Sequence, residues 1–579
     1  MIRRPFIAVA TAAALLLAVA CRPDVEHSPA AESAKPAAPR IERVGDARLP
    51  ITTRATLAQQ FFDQGLRLAY AFDHAEALRA FSEAARIDPE CAMCAWGMAY
   101  AIGPNINDPG RPADPRAAKH AQQALDLAIG ATRKERALIG ALAARLDLAA
   151  PPAAVADASP SSPVCAMPPP PQDADPLDIA YAQAMASVAR EFPDDDEVTV
   201  LYAEALLMLS PWQWWSRDGA EPREGTLAAI DTLERVLARS PGHAGANHFL
   251  IHALEASRTP ARALAAAERL AQLAPDAGHM VHMASHIFVR VGRYADAVRS
   301  NQQAIDADRR LDAQLRAQGF EPLGHVSHHH HFLWAAAAMQ GNATVALDAA
   351  RWLAAEAARP EQPYGDGGSN DYFLALPWLA QVRFARWEEI LAAPEPKWPA
   401  HASSYPRAVR HYARGMALAR IGNVQGASQE LRALQSAAQD PALQGLTLKG
   451  IDDLGALLAL AESSLRGEIL LARRQHRRAI EALRRAVEQE DALESEEPPP
   501  WAVPARQALG AALLIADSPG GAERVYRADL DRHPDNGWSL YGLAESLRRQ
   551  RRGEEAALFE ARFRTAWRDA DLAQPDARY

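Results

Sequence analysis

Cysteine is scarce in this 579-residue chain, with four in all, so a disulfide scaffold is excluded and packed apolar surface must carry the fold. A surplus of positive charge is missing too. Lysine and arginine number 62 against 72 aspartates and glutamates, a formal net charge of −10, which leaves no basic footprint for nucleic acid. No His-Glu-x-x-His run, glycine-rich phosphate loop or nucleophile elbow is present, so the familiar motifs for zinc proteolysis, phosphate binding and serine hydrolysis give no lead. The apolar run from Phe6 to Ala20 is short for a membrane span.

That run instead reads as a leader. Arg3 and Arg4 precede it and Ala18-Val19-Ala20-Cys21 closes it, resembling a lipobox with its usual leucine one place early, at Leu17. The resemblance implies cleavage before Cys21, acylation of that cysteine and a lipid anchor in the cell envelope. Because Arg22 follows the cysteine rather than aspartate, the outer membrane facing the periplasm is the expected destination. Arg3-Arg4-Pro5-Phe6-Ile7 also resembles a twin-arginine export signal, with a plain basic leader as the alternative.

The segment Phe81 to Pro89 recurs in pattern at Ala267 to Pro275 and near Val525 to Pro534. Small residues at Gly65, Ser285, Gly415, Gly467, Gly510 and Ala544 each fall 12 residues before Ala77, Ala297, Ala427, Ala479, Ala522 and Ala556. Steps of 34 residues link Ala229, Ala263 and Ala297, and again Ala522 and Ala556. This resembles the tetratricopeptide repeat, in which two antiparallel helices cross closely at small positions. It implies an all-α solenoid of helix-turn-helix repeats wound as a right-handed superhelix, with eight to ten repeats. The expected organisation is a leader over 1–20, a lipidated cysteine with a disordered tether over 21–50, and N-terminal repeats over 51–150. A Pro/Ser-rich loop over 151–176, central repeats over 177–358 and C-terminal repeats over 359–575 complete it.

Eleven of the 18 histidines fall in one stretch: His243, His248, His252, His279, His282, His286, His325 and His328 to His331. Counting back from the anchors Ala263, Ala297 and Ala346 puts His248, His282 and His331 at −15, His252, His286 and Ala335 at −11, and Gly245, His279 and His328 at −18. Offsets of three and four share a helix face. In the repeat this resembles, that face lines the concave groove. Imidazoles from stacked helices about 10 Å apart would converge there with Glu255 as ligand, orienting group or base. Imidazole donors suit a transition metal such as Cu, Zn or Fe. The alternative is a groove that binds a peptide or partner protein without metal.

Cys91-Ala-Met-Cys94 opens a helix and reads as a redox or structural disulfide, a soft-metal site or buried thiols; Cys165, in the Pro-rich loop, has no assigned partner. Pro211 to Trp215 and Trp334 are candidate groove walls or simple packing. Glu496-Glu-Pro-Pro-Pro-Trp501, Arg506 and Asn536 to Trp538 read first as structural. With Phe62 to Gly65, Tyr70 to His74, Cys91 to Asn107, His279 to Ala297 and His331 to Gly341, these stretches resemble one family of exported bacterial tetratricopeptide proteins of unassigned function. That resemblance implies the fold and the secreted setting and supplies no reaction.

Overall fold

The computed structural model describes residues 36–108, 114–148, 169–322, 327–360, 367–493, 497–501 and 503–573. The leader, Cys21, Arg3, Arg4 and Cys165 lie outside the described residues. The rest is helix upon helix. In chain order the helices are α1 Thr56–Tyr70, α2 His74–Ile87, α3 Ala92–Ile102, α4 Pro115–Leu127, α5 Arg133–Arg145, α6 Pro176–Glu191, α7 Asp196–Leu207 and α8 Thr226–Arg239. Next come α9 Ala244–Glu255, α10 Leu264–Leu273, α11 Gly278–His282, α12 Ala284–Arg290, α13 Tyr294–Ala317, α14 Ser327–Gln340 and α15 Ala343–Ala357. The last are α16 Gly367–Arg383, α17 Trp387–Ala392, α18 Tyr405–Arg420, α19 Val424–Ala437, α20 Leu454–Ala472, α21 His476–Ala492, α22 Ala505–Ile515, α23 Pro519–Arg532, α24 Gly537–Arg549 and α25 Gly553–Ala566.

Each helix packs mainly on its sequence neighbours, which is the wiring of an α-solenoid of tetratricopeptide-type hairpins. The small-residue rule has a direct steric cause. A Cβ on Gly65 would lie 2.7 Å from the Phe81 ring, and one on Gly510 would lie 2.5 Å from the Tyr526 ring. The anchors Ala77, Ala263, Ala297, Ala346, Ala427, Ala479 and Ala522 have no exposure at all. Cys91 and Cys94 form a buried disulfide at the start of α3.

Two features depart from the sequence reading. The expected tether does not run loose to residue 50: Ala38, Ile41, Val44 and Leu49 are buried. The Ile41 amide donates to Gln64 Oε1 at 2.9 Å, Gln64 Nε2 donates to Pro39 O at 2.9 Å and Arg67 Nε donates to Ala47 O at 2.9 Å. Spaced apolar side chains among prolines and charges lack helix or strand period, so composition concealed a segment that folds as an extended strap.

The groove is also closed over. Tyr70, at the end of α1, packs edge-on to Phe249 of α9 at 5.9 Å, and its hydroxyl donates to Glu197 Oε2 at 2.6 Å. From the other side, Trp538 Nε1 donates to Ala338 O at 3.2 Å, and Asp571 accepts from the amides of Ala343 and Thr344. The histidine-bearing repeats α9 to α15 are therefore clasped by the first hairpin and by the C-terminal repeats. A short antiparallel hairpin, β1 Thr447–Leu448 with β2 Asp452–Asp453, docks on the next helix, α16, through the Lys449 amide, which donates to Ser369 Oγ at 2.9 Å.

Candidate metal centre

Helix α9 is buried along its whole length, with His248 and His252 one turn apart on one face. The next repeat begins with two short helices, α11 and α12, separated at Met283, and presents His279, His282 and His286. Helix α14 brings His328. Stacking these first helices of successive repeats gathers six imidazoles into two groups of three. His248, His252 and His279 form one triad, and His282, His286 and His328 form the other; within each, the ligand atoms lie within 4.8 Å of one another.

The two triads copy each other. Ring centroids in the first are 4.8, 4.9 and 6.2 Å apart, and in the second 4.8, 4.7 and 6.0 Å. Each takes positions −15 and −11 of one repeat and −18 of the next. A phenyl ring stands over each: Phe72 lies 4.5, 5.5 and 5.2 Å from the first three rings, and Phe332 lies 4.9, 4.5 and 5.4 Å from the second three.

The proton inventory is the informative part. His248 Nδ1 lies 2.6 Å from the Tyr70 carbonyl, which only accepts, so that nitrogen carries hydrogen. His282 Nδ1 lies 2.7 Å from Asn301 Oδ1, and the Asn301 amide is fixed in that orientation because its Nδ2 donates to Ala297 O at 2.8 Å. His252 Nδ1 faces Glu255 Oε1 at 3.2 Å, and His286 Nδ1 faces Glu255 Oε2 at 2.6 Å and Glu497 Oε2. All four Nδ1 atoms are thus held as donors, and the Nε2 lone pairs turn inward. They meet at 3.1 Å (His252–His248) and 2.9 Å (His282–His286), and His279 Nε2 lies 3.0 Å from His248 Nε2. Two neutral Nε2 acceptors this close repel unless a proton or a cation lies between them. Metal–nitrogen bonds of about 2.0–2.1 Å at tetrahedral angles set donor atoms roughly 3.3 Å apart, within a few tenths of these distances.

Electrostatics set several of these imidazoles apart. Burial first, then neighbouring imidazoles, hold His248, His279 and His282 well below the usual imidazole range; for His328, burial and then Lys449 do the same. His286 goes the other way. Burial opposes its charge, but the Glu255 and Glu497 carboxylates prevail and push it up to about 10. Burial works against the Glu255 charge as well, yet His286 and His252 keep that carboxyl below its usual range, while burial and the Glu255 charge raise Glu497. Without metal, His286 therefore carries the one proton that relieves the second triad.

His252, His279, His286, His328 and Glu497 line a cavity of ≈ 1210 Å³, whose wall includes Phe72, Trp212, Trp214, Asp308 and Lys449. Trp212 is half exposed and lies edge-on to His252 at 5.8 Å. The centre is thus open on one side.

Most of the histidines expected from register meet here, with Glu255 beside them in an orienting position. His331 does not join them. It sits at the right offset, but Ala335 takes the place of its partner one turn on, and its ring is enclosed by Tyr372 and Phe373 at 5.5 and 5.0 Å, with neither nitrogen hydrogen-bonded to a described residue. Trp334 is likewise buried packing. Glu497, Phe72 and Asn301 were not singled out as site residues. Glu497 lay within the Glu496 to Trp501 pattern, whose specificity was the one signal available.

No family profile and no curated protein matches this sequence. Among solved structures, the human IFIT1 dimer with m7Gppp-AAAA is 13% identical over 89% of this chain and 91% of that one, with a TM-score of 0.30. The TPR domain of P58(IPK) is 12% identical over 86% and 99%, at 0.22, and the APC/C hetero-tetramer Cut9-Hcn1 is 10% identical over 89% and 88%, at 0.25. The fold rests on the chain's own hairpins.

Proposed function

We propose that this chain binds a transition metal ion (Cu, Zn or Fe) through the imidazoles of its histidine triads, as a metal-handling protein or a metalloenzyme. One observation carries the reading: four Nδ1 atoms are fixed on acceptors so that the Nε2 lone pairs of His248, His252, His282 and His286 converge. Three protein ligands and a cavity on the remaining side leave a coordination position for an outside molecule, as a catalytic or transfer site requires and a closed structural site does not. The test is elemental analysis of protein purified without a histidine tag, after exposure to copper, zinc and iron salts and desalting. Metal well below one ion per chain overturns the proposal.

A second reading, a scaffold that takes a peptide or partner protein in the cavity, is favoured by the size of that space. It expects His282→Ala with His286→Ala to weaken partner capture while metal content stays unchanged. The lipobox-like sequence at Cys21 supports a lipid-anchored place at the envelope, in the outer membrane and facing the periplasm. Cys21→Ser would then leave the protein unlabelled by radioactive palmitate.

A further inference from the structure

We propose that the two triads hold two metal ions at the same time, as one magnetically coupled pair that shares Glu255 and faces a common cavity. The inference rests on the metal reading above and goes beyond it in number and in arrangement.

A single ion cannot use all six imidazoles. Each triad brings three ligand atoms within 4.8 Å, but the grouping breaks between the triads. They are neighbours nonetheless. His252 and His286 have ring centroids 6.1 Å apart, as have His279 and His282, comparable with the long edges of the two triads at 6.2 and 6.0 Å. The duplication is built into the repeat, because the same offsets on consecutive repeats generate the same three-imidazole cup twice. One carboxylate touches both cups: Glu255 Oε1 lies 3.2 Å from His252 Nδ1, and Oε2 lies 2.6 Å from His286 Nδ1 as an ion-pair contact.

Charge supports the same arrangement. Two divalent ions would bring four positive charges to a centre where the carboxylates in contact with the triad imidazoles, Glu255 and Glu497, supply two negative ones. The shortfall calls for an anionic ligand between the ions, and the open side faces the cavity through which a hydroxide or another small anion enters. Such a bridge is the usual means by which a metal pair activates or carries a small molecule.

The test uses copper(II) alone as the probe on the full untagged chain. It compares wild type with His279→Ala and His328→Ala, each of which removes one partly buried ligand from a different triad. Expected are two coppers per wild-type chain with integrated paramagnetic resonance intensity far below two spins, and one copper with a full single-spin signal in either variant. Circular dichroism checks that each variant keeps its helices. Two coppers with two full spins overturn the pairing. One copper in wild type, or loss of all copper from a folded single variant, overturns the second ion and leaves the one-ion reading standing. No copper in wild type overturns both.

Discussion

Glu255→Gln separates orientation from ligation most cleanly. The carboxylate is buried, with Oε1 at 3.2 Å from His252 Nδ1 and Oε2 at 2.6 Å from His286 Nδ1. A unit charge about 3 Å from a developing positive imidazole is worth roughly 5 kcal/mol at an effective dielectric of 20. Little of that is realised as net affinity, because the carboxylate is already desolvated and paired before metal arrives. Loss of a carboxylate behind a histidine ligand costs about 10–100-fold in metal affinity, or about 1.4–2.8 kcal/mol. The loss falls unequally. His286 keeps Glu497, whereas His252 faces an amide that either weakens its Nδ1 contact or turns a donor toward it. The first triad is therefore expected to lose close to the full hundredfold and the second about tenfold. Chelator competition on untagged protein, with His328→Ala and His279→Ala backgrounds to isolate each triad, reads both numbers. A change under twofold at the first triad, in a folded variant, refutes the orienting role and with it the tautomer argument for metal.

His331→Leu is expected to leave metal content unchanged and to raise stability by about 1–3 kcal/mol, since two buried ring nitrogens without hydrogen bonds are removed; a halved metal content in elemental analysis would place His331 in the site after all. Metal uptake at the second triad should release a proton from His286, which is held protonated up to about pH 10. Affinity there should rise up to about tenfold per pH unit between 7 and 9, and a pH-independent affinity in titration calorimetry refutes the His286 assignment. Glu204, buried beside Tyr100, is raised from 4.5 to about 7, chiefly by burial. A raised carboxyl contributes stability that is complete below the unfolded value and lost as pH climbs to the folded one, so wild type should lose up to about 3 kcal/mol between pH 4.5 and 7 from this group. Glu204→Gln should flatten that part of the thermal-unfolding profile; an unaltered slope counts against it.

The histidine register was legible because two periods coincide. A three-and-four spacing puts residues on one helix face, and the spacing from the small anchor residues puts those faces side by side, so His248, His252, His279, His282, His286 and His328 follow from counting alone. What counting cannot supply is closure of the superhelix on itself. Phe72 lies in the first hairpin and Glu497 lies 211 residues after His286, and both reach the site only because distant repeats fold back over the central ones. The strap over residues 37–50 escaped for a related reason: its apolar side chains match no helix or strand period, and it is also held from far along the chain, where the Asp276 amide donates to Arg43 O and Gln318 Nε2 donates to Arg40 O.

The repeat also accounts for where the site stops. At each end one position of the triad pattern is replaced by a residue with another task. On the N-terminal side, Gly245 stands at the offset occupied by His279 and His328. A Cβ there would lie 2.9 Å from the Tyr70 ring, so the glycine admits the tyrosine whose carbonyl fixes His248 Nδ1. On the C-terminal side, Ala335 stands at the offset of His252 and His286, which leaves His331 without the partner a third cup needs and available to be packed among aromatic rings. Two complete cups, bounded by a residue that orients the first and one that abolishes a third, are what a site of defined size leaves in a repeating chain.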